Sequence, residues 1–117
     1  MKIFDCFMFY DEKILLDIRL NILNEFVDFF VIVESKYFHN GLERKLNFNI
    51  NDYPKFKDKI IYIIHDSIPL ELKNIVSIDD EETKTFKLNF NAHTRENDQR
   101  NYIIKGLESA KDNDLIL

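Results

Sequence analysis

The chain has 117 residues, 45% apolar and 14% aromatic, and carries a net charge of −5 from 21 acids against 16 bases. That length sets one domain, residues 1–117, able to bury roughly two-thirds of the surface its unfolded form exposes. The acidic balance excludes a phosphate-tracking nucleic-acid surface, and no apolar run reaches the roughly 18 residues of a membrane-spanning helix.

The first element is "KIFDCFMF", Lys2 to Phe9, a nearly continuous apolar run of strand length, as expected of a strand buried on both faces. Cys6 within it reads as packing rather than as a nucleophile. As the sole cysteine it excludes an internal disulfide, and with no apolar leader ahead of Asp5 the expected setting is cytoplasmic. Asp5 must find donors in such surroundings, and Arg19 on the next element is the expected partner. That element, Asp11 to Phe26, carries Leu15, Ile18, Ile22 and Phe26 at helical spacing as an expected inward stripe. Asp11 and Glu12 suit its positive N-terminal end. "DFFVIVE", Asp28 to Glu34, is the second strand and completes a βαβ crossover.

Ser35 to Asp58 reads as a loop followed by a short helical turn around Tyr53 to Asp58. "KIIYIIH", Lys59 to His65, is the third strand. Asp66 to His93 is expected to mix a short edge strand with a charged loop. A helix then runs from about Arg95 to Lys111, with Thr94 as its cap and Glu96 and Asp98 in its first turn. Its inward stripe is Ile103, Ile104, Leu107 and Ala110. Gly106 inside it costs about 1 kcal/mol relative to Ala, which implies close backbone packing there. "DLIL", Asp114 to Leu117, is a fourth strand. The order predicts an α/β fold, a mostly parallel sheet with flanking helices.

Ligands of open parallel sheets bind beyond the carboxyl ends of the strands. Those ends deliver Tyr10, Asp11 and Glu12, then Glu34 and Ser35, then His65 and Asp66. The last helix adds Arg95, Gln99, Arg100 and Asn101. Arginine offers a planar fork for phosphate oxygens, and the amides can pair with a base or sugar edge. By geometry alone, ordinary capping and solvation of strand ends explains such a rim equally well.

The remaining polar groups carry less. Asp112-Asn113-Asp114 spells a metal-binding Asp-x-Asp, but it precedes a strand and so lies at the opposite, amino edge. A turn held by its own backbone hydrogen bonds accounts for it. Asp79 to Glu82 lacks the alternating spacing of a calcium loop. His39, His65 and His93 share no ligand spacing, and His65 reads as a capping or half-buried residue. With neither G-x-x-x-x-G-K-[ST] nor G-x-G-x-x-G, nucleotide triphosphatases and dinucleotide enzymes are disfavoured.

"MKIFDCFMFYDEKILLDIRLNIL", "VDFFVIVES" and "RENDQRNYIIKGL", in that order, resemble the opening half of glycosyltransferase family 17. The resemblance implies a nucleotide-sugar-dependent N-acetylglucosaminyltransferase with a GT-A-like, Rossmann-like fold, a UDP-GlcNAc donor, a glycan acceptor and a divalent metal such as Mn or Mg. The matched polar positions are Asp5, Glu12, Arg19, Glu34, Arg95, Glu96, Gln99, Arg100 and Asn101. From them the resemblance implies a nucleotide-sugar site of Glu12, Glu34, Arg95, Gln99, Arg100 and Asn101. Arg100 and Asn101 would help hold the nucleotide, Glu12 and Glu34 would line the rim, and Asp5 and Arg19 would brace it.

The family's acidic SDxDE motif would follow the strand that begins at Asp114. The metal ligands and the catalytic base are therefore expected outside these residues, and no catalytic residue is assigned. Ser67 to His93 departs from the family pattern. The alternative is a non-catalytic α/β binding or interaction module that kept the scaffold. The edge at the fourth strand is expected to support self-association.

Overall fold

The computed structural model describes residues Met1 to Leu117. Four strands, β1 (Ile3–Phe9), β2 (Phe29–Ser35), β3 (Ile60–His65) and β4 (Leu115–Ile116), form one all-parallel sheet in the order β3-β2-β1-β4. Two α-helices accompany it, α1 (Lys13–Leu23) and α2 (Glu81–Asn101), the second continuing as a 3₁₀ run over Tyr102–Leu107. This is the α/β architecture that the alternating strands and helices predict. No helix is long and apolar enough to cross a membrane.

β2 lies between β1 and β3, which explains its unbroken apolar run. Phe30 and Ile32 join one cluster with Phe9, Leu16, Leu20, Val27, Phe56 and Ile60. Val31 and Val33 point the other way, to Phe4 and the side chains of Tyr102, Ile103, Leu107 and Ala110. The period-2 alternation of a strand thus feeds two cores, one under α1 and one under the 3₁₀ run.

Asp5 in β1 meets Arg19 of α1 as expected, accepting from its Nε and from one terminal nitrogen at 2.7 and 2.6 Å. The pair also rotates the helix away from the expected stripe. Leu15, Ile18, Ile22 and Phe26 are 65%, 49%, 61% and 64% exposed, whereas Leu16 and Leu20 are 3% and 0% exposed. Leu16, Arg19, Leu20 and Leu23 stand at i, i+3, i+4 and i+7, one helical face. A buried carboxylate that needs its guanidinium selects that face over its equally apolar neighbour.

The second helix is longer than its apolar periodicity suggests. It starts at Glu81, with Asp80 accepting from the Thr83 amide at 2.7 Å and Glu81 and Glu82 in its first turn. Asp79 to Glu82 is thus a helix start, and no edge strand forms between Asp66 and His93. Thr94 is not a cap; it lies mid-helix and donates to the Phe90 carbonyl at 2.8 Å. The α-helix ends at Asn101, and the tighter 3₁₀ run turns Ile104 outward while Tyr102, Ile103 and Leu107 pack on the sheet. The turn expected near Tyr53 is a 3₁₀ turn at Pro54–Phe56. Leu115 and Ile116 of the fourth apolar run stand opposite Ile3 and Phe4 of β1, and Leu117 continues the ladder, donating to the Phe4 carbonyl at 2.8 Å and accepting from the Cys6 amide at 3.2 Å.

Gly106 faces β2 at close range. A Cβ there would stand 2.4 Å from Cγ1 of Val31, inside van der Waals contact. Gly106→Ala is expected to destabilise the fold by about 1–3 kcal/mol, the usual cost of overpacking. Val31→Ala in the same chain should recover part of that loss. Urea denaturation of the two single variants and the double variant reads the coupling.

Candidate active site

At the carboxyl edge of the sheet, Glu34, the next-to-last residue of β2, is fully buried. It pairs with Arg44 at 3.1 Å and accepts from the amides of Asn47 and Phe48 at 2.7 and 3.0 Å and from the Tyr62 hydroxyl at 2.8 Å. Arg44 in turn donates to the carbonyls of Ser35 and Tyr10, at 2.6 and 2.8 Å. Glu34 therefore stands at the rim but faces inward, and it shapes the loop after β2 instead of offering a free carboxylate. Burial first, and then the donation to Glu34, raise the Tyr62 phenol well above its ordinary range.

Beside it, Tyr10 joins three elements. Its hydroxyl donates to Oε1 of buried Gln99 at 2.7 Å, and Gln99 donates from Nε2 to the Val33 carbonyl at 3.2 Å. On its other side the Tyr10 hydroxyl contacts Nε2 of His39. Burial first, and then the charge of Glu96, push the Tyr10 phenol up to about 12, with Glu12 adding to them and Arg44 and Arg100 opposing.

A second chain of hydrogen bonds ties β2 and β3 to α2. Ser35 Oγ bonds Nδ1 of His65 at 2.7 Å, and His65 Nε2 bonds Asp98 at 2.6 Å. Asp98 also accepts from the Ser67 hydroxyl at 2.6 Å. Burial alone would raise the Asp98 carboxyl; the bonds from His65 and Ser67 outweigh it and hold the group below the usual carboxylate range. The ionised Asp98 accepts from His65 Nε2, which leaves Nδ1 to bond the Ser35 hydroxyl. His65 is buried, not half-buried, and no buried side-chain polar atom in the chain lacks a partner.

Between these two networks lies a pocket of about 140 Å³, lined among others by Phe38, His39, Gly41, His65, Pro69 and Arg95. Arg95 reaches it from α2 and donates to the His39 carbonyl at 2.9 Å. Gly41, at φ +90°, lies against that guanidinium; a Cβ there would be 2.7 Å from a terminal nitrogen of Arg95. Glycine at this position satisfies both the backbone conformation and the close approach.

The six expected site residues thus separate. Glu34 and Gln99 are buried supports, and Arg95 lines the pocket. Glu12 is exposed at the start of α1, accepting from the Tyr10 amide at 3.1 Å, and lines a groove of about 380 Å³ between β1 and α1. Arg100 is exposed and donates to Glu96 and Asn97 at 2.8 and 3.3 Å, and Asn101 is exposed at the end of α2. Sequence reasoning missed His39 and Arg44, which lie in the irregular loop after β2. The one local hint was Gly41, one of two glycines in the chain.

No three His, Cys, Asp or Glu side chains converge where a metal ion could be held. Asp114 accepts from the amides of Lys2 and Lys111, each at 2.8 Å, which makes Asp112 to Asp114 a turn at the amino edge. Those two amides hold its carboxyl below the usual range.

A parallel α/β sheet with a pocket and a polar rim at its carboxyl edge defines a ligand-binding α/β protein. The family model of glycosyltransferase family 17 matches residues 1–116. The chain belongs to that family, and its function is that of a glycosyltransferase. No curated protein and no solved structure matches it.

The depressed Asp98 carboxyl sets a pH dependence. Asp98 contributes stability that is complete above the pKa of an unfolded aspartate, about 3.9, and lost as pH falls through its lower folded value. Asp98→Asn should therefore be less stable than the natural chain at neutral pH, with the gap closing below about pH 4. Urea midpoints from pH 7 to pH 3 check this; a gap constant over that range contradicts it.

Proposed function

We propose that the chain binds a UDP-sugar, UDP-GlcNAc in the first instance, along the carboxyl edge of the sheet, for transfer of the sugar to a glycan acceptor. Family membership supports sugar and glycan partners. The observation that carries the donor reading is Arg95, which lines the pocket while only one of its N–H donors is bound within the chain. A guanidinium with open donors in a concave site suits phosphate or carbonyl oxygens. The strand order β3-β2-β1-β4 places the topological switch point between β1 and β4, so a ligand extended from the pocket along the rim runs past Tyr10 toward it. This is a GT-A-like use of the fold, in a cytoplasmic setting.

The acids of the chain do not fit a divalent cation. Glu34 is saturated by donors, Asp79 pairs with Lys87 at 2.8 Å, Asp80 caps α2, and Asp114 closes a turn. The same observation favours a second reading, donor binding without transfer by these residues alone. Release of UDP from UDP-GlcNAc over many turnovers would exclude it.

Calorimetry with UDP-GlcNAc tests the site. Arg95→Ala should weaken binding by roughly tenfold or more, the worth of a lost charge-assisted hydrogen bond. Arg100→Ala should also weaken it, by less, because Arg100 is already paired with Glu96 on an exposed helix face. Unchanged affinity in Arg95→Ala would remove the assignment.

Self-association through the sheet edge remains part of the proposal. β4 is the edge strand beside β1, and Ile14, Leu15, Ile18, Ile22 and Phe26 are exposed on and just after α1. Light scattering should report a dimer or larger species, reduced to monomer by Ile18→Glu and Ile22→Glu together.

A further inference from the structure

We infer that Gly41 is a positioning residue for ligand binding: because it has no Cβ, the Arg95 guanidinium can lie flat against the loop with N–H donors left over for a ligand. The inference rests on the UDP-sugar reading above and names the residue on which the placement of Arg95 depends.

The loop is stiff at this point. Tyr37 bridges Glu43 in antiparallel fashion, and the Arg44 amide donates to the Lys36 carbonyl at 2.8 Å, so the chain folds back as a small hairpin. Inside it the Gly41 amide donates to the Phe38 carbonyl at 2.9 Å, and the Phe38 amide donates to the Leu42 carbonyl at 2.8 Å. The Asn40 side chain accepts from the Leu42 amide at 3.0 Å. Arg44, held by Glu34, anchors the base of the hairpin. The backbone of Gly41, at φ +90°, is therefore placed by the loop itself.

The backbone on the helix side is fixed as well. Asp98 and Gln99, one turn beyond Arg95, are bonded to His65 and to the Val33 carbonyl. Between two fixed backbones, the long side chain of Arg95 is the adjustable part.

The close approach has a direction. A Cβ on Gly41 would stand 2.7 Å from one terminal nitrogen of Arg95, 2.8 Å from the central carbon and 3.2 Å from Nε. The central carbon is nearly as close as the nearest nitrogen, which puts that Cβ over the flat face of the guanidinium and not beyond its edge. Guanidinium N–H bonds lie in the plane of the group. Gly41 thus covers a face that makes no hydrogen bonds, while the other terminal nitrogen donates to the His39 carbonyl at 2.9 Å. Any Cβ at this position lies inside van der Waals contact, and the guanidinium must swing off the loop. A flexible side chain does so with the fold kept. What it loses is its place at the pocket.

Calorimetry with UDP-GlcNAc on full-length variants is the test. Asparagine tolerates positive φ better than other residues that carry a Cβ, so Gly41→Asn adds the Cβ with little backbone strain. It should weaken UDP-GlcNAc binding about as much as Arg95→Ala does, roughly tenfold, with the urea midpoint near that of the natural chain. In the Arg95→Ala background Gly41→Asn should cost no further affinity, as expected of one residue acting through another. Without any ligand, the Arg95 Nε–H resonance in nitrogen-15 spectra should move in Gly41→Asn. Affinity untouched by Gly41→Asn, an equal loss in both backgrounds, an unmoved resonance or a collapsed urea midpoint each overturns the inference and leaves the donor reading standing. If UDP-GlcNAc does not bind the natural chain, the donor reading falls and this inference with it.

Discussion

The buried ion pair of Glu34 and Arg44 is the contact on which the site depends. Glu34 is the point where β2 stops being core and starts being rim, and a carboxylate there is tolerable only if it is saturated with donors. Arg44, two backbone amides and the Tyr62 hydroxyl supply them. The consequence reaches beyond the pair. Arg44 also closes onto the carbonyls of Ser35 and Tyr10, so the loop after β2 is drawn across the ends of β1 and β2. Everything that loop presents, His39, Gly41 and Phe38 included, has its place because one charge inside the sheet had to be answered. Removing one partner of such a pair costs about 3–5 kcal/mol, since it strands the other.

The rim is therefore built in two layers. The inner layer is fully satisfied: Ser35, His65, Asp98 and Ser67 bind α2 to the sheet, and Gln99 binds it again at Val33 of β2 and at Tyr10 beyond the end of β1. The outer layer keeps open donors and acceptors, namely Arg95 with spare N–H groups and His39 with an unused nitrogen. A rigid inner layer under a reactive outer one is what preorganised binding requires. It also explains why the matched polar positions of the family do not all keep an open donor or acceptor. Glu34 and Gln99 are needed by the scaffold itself.

Much of the sheet was legible because continuous apolar strands have no other stable place than between two layers. Asp5 was legible too, since a carboxylate in such a strand must be paired. The helix faces were less so. α1 is apolar around more than one face, and periodicity picked Leu15, Ile18, Ile22 and Phe26, while the Asp5–Arg19 pair selected Leu16, Leu20 and Leu23. The two readings conflict in the sequence itself, and the charge decides. α2 was missed over its first half because Glu81 to His93 carries few apolar residues at helical spacing. Its signal was electrostatic, an Asp80 cap ahead of two glutamates.

The sequence by itself determined the class of fold, the succession of its strands along the chain, the partner of Asp5, the close packing at Gly106 and the family to which the chain belongs. These follow from short-range rules: strand-length apolar runs, the cost of an unpaired buried charge, the steric silence of glycine. Only the tertiary structure decided which polar groups are saturated within the chain and which keep open donors or acceptors. Hydrogen-bond saturation is a property of neighbours distant along the chain: Tyr10 with His39 and Gln99, His65 with Asp98, Glu34 with Arg44. Until those partners are in place, a buried support and an open binding group look the same.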